Sequence, residues 1–171
     1  MVTAAGLTTA RAIAAAVPDP ELPMVTVADL GILRDVAAEG DRLVVTITPT
    51  YSGCPALREI AHDLRRRLAA SGYAEVTVRT ALAPAWSSDW ITAEGRQKLR
   101  AAGIAPPHAA DRRRASGPVP LTLTGTRREP VACPRCGSAV TTQTATFGAT
   151  ACTALYRCES CREPFEYVKA I

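Results

Sequence analysis

Aromatic side chains are scarce in this chain: two Trp, two Phe and four Tyr make up 5% of its 171 residues. A hydrophobic fraction of 47% still supports a packed interior, which must then be built from small aliphatic residues, much of it alanine. No apolar run approaches the roughly 18 residues of a membrane-spanning helix. The stretch from Ala12 to Pro18 has the small-residue end of a signal peptide, but Arg11 interrupts the apolar run, so the expected compartment is the cytoplasm. A Gly-rich phosphate loop is missing, and Glu-x-x-His occurs once, as Glu59-Ile60-Ala61-His62, where a bundle di-iron site takes two, which argues against a flavin, nucleotide or di-iron site. Histidine is limited to His62, off the apolar face of a predicted helix, and His108, in a Pro-rich stretch. Neither is an evident general base, and a Cys–His hydrolase or transferase is poorly supported.

What the chain does have is cysteine in a telling arrangement. Cys133-x-x-Cys136 and Cys158-x-x-Cys161 are separated by 21 residues. Each Cys-x-x-Cys turn points two sulfurs at one spot, and two such turns complete a tetrahedral set of four thiolates with no open position. A structural zinc is the leading occupant; rubredoxin-like iron and a redox dithiol pair are the alternatives. Without an export signal, metal is favoured over cystine. A module of about 40 residues with so few aromatics needs the metal in order to fold.

Charge separates the chain into parts. Residues 1–85 carry 8 basic and 9 acidic side chains, residues 86–130 carry 8 and 4, and residues 131–171 carry 4 and 3, so the net +4 resides in the middle. Four thiolates on one divalent ion bring the last part to about −1, which is not a nucleic-acid-binding tail. The run Arg112-Arg113-Arg114 reads as a solvated linker in preference to a nucleic-acid contact.

Pattern and punctuation predict an α+β fold, with an α-β-β-α-β domain over residues 1–85, a helix and Pro/Arg-rich linker over 86–120, and a zinc ribbon over 121–171. A helix is expected over 7–17, ended by Pro18-Asp19-Pro20-Glu21. Ile32–Ala37 and Arg42–Thr48 form a hairpin around Glu39-Gly40-Asp41. From Pro55 to Gly72 a second helix buries Leu57, Ile60, Ala61, Leu64 and Leu68. Val76-Thr77-Val78 and Leu82 supply a third strand. Residues 86–104 read as a short exposed helix, Ala105–Pro120 as linker, and Leu121-Thr122-Leu123-Thr124 as a strand.

Two further cysteines lie outside the knuckles. Cys54 sits between Gly53 and Pro55 where a helix begins, so unpaired amides and the helix dipole favour its thiolate. Thr48, Thr50 and Ser52 surround it with hydroxyls. Either it is a reactive or metal-ligating sulfur, or it is a buried thiol in a capping loop. Cys152 fits neither knuckle; it reads as a small buried hydrophobe in a strand before Leu155, with a functional thiol as the alternative. Asp19, Glu21 and Asp29 read first as turn and cap residues.

Asp19-Pro20-Glu21, Asp29-Leu30-Gly31 and Thr48-Pro49-Thr50-Tyr51-Ser52-Gly53-Cys54-Pro55-Ala56 resemble the signature of the SufT-like metal–sulfur cluster assembly domain. Further motifs, Pro84-Ala85-Trp86, Asp89-Trp90-Ile91, Cys133-Pro134-Arg135-Cys136-Gly137-Ser138 and Phe147-Gly148-Ala149-Thr150-Ala151-Cys152, are similar to the PaaD family. These are accessory D proteins of bacterial phenylacetyl-CoA epoxidase (ring 1,2-monooxygenase) systems in phenylacetate catabolism. The resemblance implies a non-enzymatic assembly role, helping an iron–sulfur cluster into the epoxidase reductase. It implies that Cys54 handles iron, sulfur or a cluster transiently, with Asp19, Glu21, Asp29, Thr50 and Ser52 in support. The implied partners are the reductase and other epoxidase components, with no nucleic acid or membrane, and a homodimer is left open. Two other roles stay in view: a docking subunit using the basic middle segment, and a rubredoxin-like electron carrier.

Overall fold

In the computed structural model, which describes residues 3–51, 53–108 and 130–170, Thr3 caps the first helix by accepting from the Gly6 amide at 3.1 Å. That helix, α1, runs Ala4–Ala15, earlier at both ends than the proline signal suggests, and buries Ala10 and Ala14. Strands β1 (Leu33–Glu39) and β2 (Arg42–Ile47) pair antiparallel as expected, with a bulge between Leu33 and Asp35. Helix α2 (Ala56–Ala70) leads to β3 (Val76–Thr80), which lies parallel to β2 in the order β1-β2-β3. The central strand accordingly carries the most apolar run, with Leu43, Val44, Val45 and Ile47 all buried.

The predicted faces need small corrections. Helix α2 buries Ala56, Ile60, Leu64 and Leu68, while Leu57 and Ala61 are only half-buried. Leu82 lies beyond β3 and is exposed. Helices α1 and α2 touch each other, with α1 on β1 and α2 on β3, so the small-residue core lies between the helices and the sheet.

The segment after β3 departs most from expectation. A 3-10 turn spans Ser88–Trp90, and α3 occupies Ala93–Ala101, capped by the Thr92 side chain on the Gly95 amide at 2.9 Å. It is not an exposed helix, because Trp86, Ser88, Ile91, Gly95 and Leu99 are all buried. This segment belongs to the first of two compact units, and the chain passes into the second after Ala102.

The second unit begins where a linker is predicted. Strand β4 (Ile104–Ala105) pairs parallel with β7 (Pro164–Val168), and β5 (Thr141–Ala145) and β6 (Thr153–Cys158) complete a sheet ordered β4-β7-β6-β5. Its core gathers Tyr156, Phe165 and Tyr167 with Ala105, Val131, Ala154, Cys133 and Cys158. Three of the eight aromatics of the chain thus pack with the cysteine knuckles. The predicted strand at 121–124 and the arginine run at 112–114 lie outside the described residues.

Candidate functional site

The four knuckle cysteines converge. Their sulfurs all lie within 4.8 Å of one another, with Cys133 Sγ to Cys161 Sγ at 3.8 Å and Cys136 Sγ to Cys158 Sγ at 3.5 Å. A tetrahedral ion with bonds of about 2.3 Å needs sulfurs about 3.8 Å apart, so the four thiols surround a site of the size one metal ion takes. The two knuckles are built alike. After the second cysteine of each comes a left-handed residue, Gly137 at φ +75° and Arg162 at φ +66°. The Cys133 amide then donates to Ser138 O at 2.9 Å, and the Cys158 amide to Glu163 O at 3.0 Å. A hydrogen bond of 2.8 Å between the Ser138 and Ser160 hydroxyls joins one knuckle to the other.

The electrostatics ask for a cation. Hydrogen bonds from the backbone amides of Cys161 and Ser160, with help from neighbouring thiols, lower Cys158 to about 6. Cys161 moves up to about 12: the Glu163 amide acts to lower it, but burial and the sulfurs of Cys158, Cys136 and Cys133 outweigh that. Sulfurs this close resist joint ionisation, and a divalent ion removes the conflict.

Cys54 lies in the first unit, half-buried, two residues before α2. Its amide donates to Tyr51 O at 3.2 Å and its carbonyl accepts from the Leu57 amide at 3.4 Å, which winds the loop into the first turn. Pro55, at the N-cap, makes no side-chain cap, so the loop itself forms the approach to the first amides of α2. Thr48 begins this loop fully buried, its amide donating to Ile32 O at 2.9 Å, while Thr50 is half-buried. Ser52 lies outside the described residues.

The two buried acids of the first unit act on backbone. Asp19 Oδ1 accepts from the Glu21 and Leu22 amides, both at 2.9 Å, closing the Pro-rich turn. Burial raises Asp19, and burial with the Asp19 charge raises Glu21. Asp29 Oδ2 accepts from the Thr26 amide and from Lys98 Nζ, each at 2.9 Å, while its own amide donates to Thr26 Oγ1. Burial would raise Asp29, but the Thr26 bonds and Lys98 prevail and hold it below the usual carboxylate value.

Cys152 is placed differently from the strand position predicted for it. It occupies the turn just before β6, half-buried, with its sulfur 3.0 Å from Thr150 Oγ1. The surrounding loop is tied down by Glu166, whose Oε1 accepts from the Ala149 amide at 3.1 Å, and by Lys169, whose Nζ donates to Ala151 O at 2.8 Å.

Residues 10–80 match the model of the iron–sulfur cluster assembly protein family, and residues 117–169 match that of the PaaD zinc beta ribbon domain. A protein of Escherichia coli (strain K12), named provisionally as the D component of 1,2-phenylacetyl-CoA epoxidase, is 44% identical over 91% of this chain and 87% of its own length. The chain belongs to the PaaD family. A second relative, the Fe-S protein maturation auxiliary factor of Porphyromonas gingivalis, is 35% identical over 47% of this chain and 78% of its own. A crystal structure of a domain of unknown function (DUF59) from Bacillus anthracis superposes with a TM-score of 0.50 at 31% identity, covering 54% of this chain and 90% of that one.

Within this PaaD chain, sequence reasoning anticipates the four sulfurs but not their braces. The Ser138–Ser160 bond and the left-handed Arg162 carry no sequence signal, because a serine pair 22 residues apart means nothing until the knuckles face each other. Lys98, the partner of Asp29, is 69 residues away from it in the chain.

Proposed function

We propose that the chain is an accessory assembly factor, not an oxygenating enzyme, that helps an iron–sulfur cluster into the reductase component of a phenylacetyl-CoA epoxidase. The observation that carries this reading is the union in one chain of an iron–sulfur assembly domain and a PaaD ribbon, with similarity to the D component of an epoxidase along nearly its whole length. The PaaD ribbon carries a structural zinc on Cys133, Cys136, Cys158 and Cys161. The thiol of Cys54 is the group that transiently holds iron, sulfur or a cluster as cargo, with Thr50, Ser52 and Glu21 beside it in function. Asp19 and Asp29 contribute by fixing turns, since their carboxylates already hold backbone amides. The partners are the reductase and its fellow components in the cytoplasm.

The test is to produce the reductase alongside either this protein or its Cys54→Ala variant and to measure iron and sulfide in the purified reductase. Most of the cluster should be missing with the variant, while the variant keeps its fold and about one zinc per chain. A fully loaded reductase would falsify cluster handling by Cys54 and favour a docking subunit. Stoichiometric iron in place of zinc, visible as a red protein, would favour the electron carrier.

A further inference from the structure

We infer that the segment Trp86–Ala101, which lies outside the residues matched by the assembly-domain family, is a clasp that positions the base of the Cys54 loop. Its importance for function rests on the reading of Cys54 given above; the clasp itself rests on hydrogen bonds and packing.

Four consecutive residues, Asp29 to Ile32, receive the clasp on one side and the loop on the other. Trp86 is buried and its Nε1 donates to Leu30 O at 2.8 Å. The Thr92 amide donates to Asp29 O at 2.9 Å, and Lys98 Nζ binds Asp29 Oδ2. Gly31 sits at φ +68°, and a Cβ there would lie 2.5 Å from Trp90 Cβ, so the turn and the tryptophan are in backbone contact. Gly95 approaches as closely: its Cβ would lie 2.8 Å from Asp29 O. The Arg34 guanidinium covers the Trp90 ring at 3.6 Å. One residue beyond Gly31, Ile32 O accepts the amide of Thr48, the buried first residue of the loop that ends at Cys54.

The chain of contacts is therefore short and made of directional bonds. The turn at 29–32 has few ways to shift while Trp86, Thr92 and Lys98 all hold it, and Thr48 inherits that restriction through Ile32. Trp86 and Lys98 are positioning residues; neither is assigned contact with cargo.

Two variants test this, Trp86→Phe, which keeps an aromatic ring but removes the indole donor and part of its volume, and Lys98→Met, which keeps the stem and removes the charge. The readouts are amide hydrogen exchange at Thr48 and the rate at which iodoacetamide modifies Cys54, with the site identified by mass spectrometry. Exchange at Thr48 should quicken about tenfold in Trp86→Phe, the change expected when one buried hydrogen bond is lost from a local opening equilibrium. Cys54 alkylation should change several-fold in both variants, with the zinc content of the ribbon unaltered. If both variants speed exchange within α3 alone and leave Thr48 and Cys54 as in the parent, the clasp is merely a local prop and the inference is wrong. If instead Cys54 responds but the reductase is loaded normally with Cys54→Ala, the clasp stands and the cluster role of Cys54 fails.

Discussion

Two aspartates separated by ten residues illustrate how a carboxylate's partners, and not its type, decide its worth. Asp19 is buried against amides alone, and burial raises it; Asp29 has the amide and hydroxyl of Thr26 and a lysine, and it is lowered. Replacement by asparagine should therefore act in opposite senses at pH 7. Asp19→Asn keeps an acceptor for Glu21 and Leu22 while removing a desolvated charge, and stability should hold or rise slightly. Asp29→Asn loses the charge-assisted bonds and should cost about 1 kcal/mol in urea unfolding. Because the native state of Asp29 binds its proton less readily than the unfolded chain does, its contribution is present above the unfolded value near 3.8 and fades as pH falls through the lower native value. The gap between Asp29→Asn and the parent should close on acidification below that point. A gap that persists unchanged there would mean that shape, not charge, makes Asp29 matter.

At the level of elements, legibility follows the size of the apolar signal. Helix α2 is readable because it buries a regular face, the β1–β2 hairpin because Val- and Ile-containing runs flank Glu39-Gly40-Asp41, and the knuckles because thiol spacing encodes geometry directly. Helix α3 reads as exposed since Ala-Glu-Gly-Arg-Gln-Lys-Leu-Arg-Ala shows a single large apolar residue. It is held by bonds to Asp29, from the amide of its N-cap Thr92 to the carbonyl and from Lys98 to the carboxylate, which no residue pattern reveals. Strand β5 is likewise invisible as Thr-Thr-Gln-Thr-Ala, its place fixed by pairing with β6. In the ribbon, buried Cys133 and Cys158 pack with Tyr156, Phe165 and Tyr167, so ligation and core formation share residues. Cys136→Ser should accordingly release the metal and collapse amide protection across β5, β6 and β7, a loss of roughly several kcal/mol. Helical circular dichroism from α1 and α2 should survive. Retention of β6 protection without metal would show that the aromatic cluster suffices by itself.

For the whole molecule, the boundary between units matters more than the number of elements. The sequence suggests a ribbon from residue 121, whereas the second compact unit begins at Gly103, and β4 is part of its sheet. Ile104 and Ala105, wedged between Gly103 and Pro106, offer a pattern too short to read as a strand, although both are buried and pair with Glu166 and Tyr167. This two-residue strand has a practical consequence for anyone dividing the protein. It shields one side of β7, the strand that carries Phe165 and Tyr167, from contact with foreign chains. A fragment of residues 103–171 keeps that shield and should stay monomeric in analytical ultracentrifugation when loaded with zinc. One of residues 121–171 has every cysteine ligand yet a bare strand margin, and should self-associate as its concentration rises. Equal behaviour of the two fragments would reduce β4 to an ornament of the fold; a difference would make it the ribbon's own guard against aggregation.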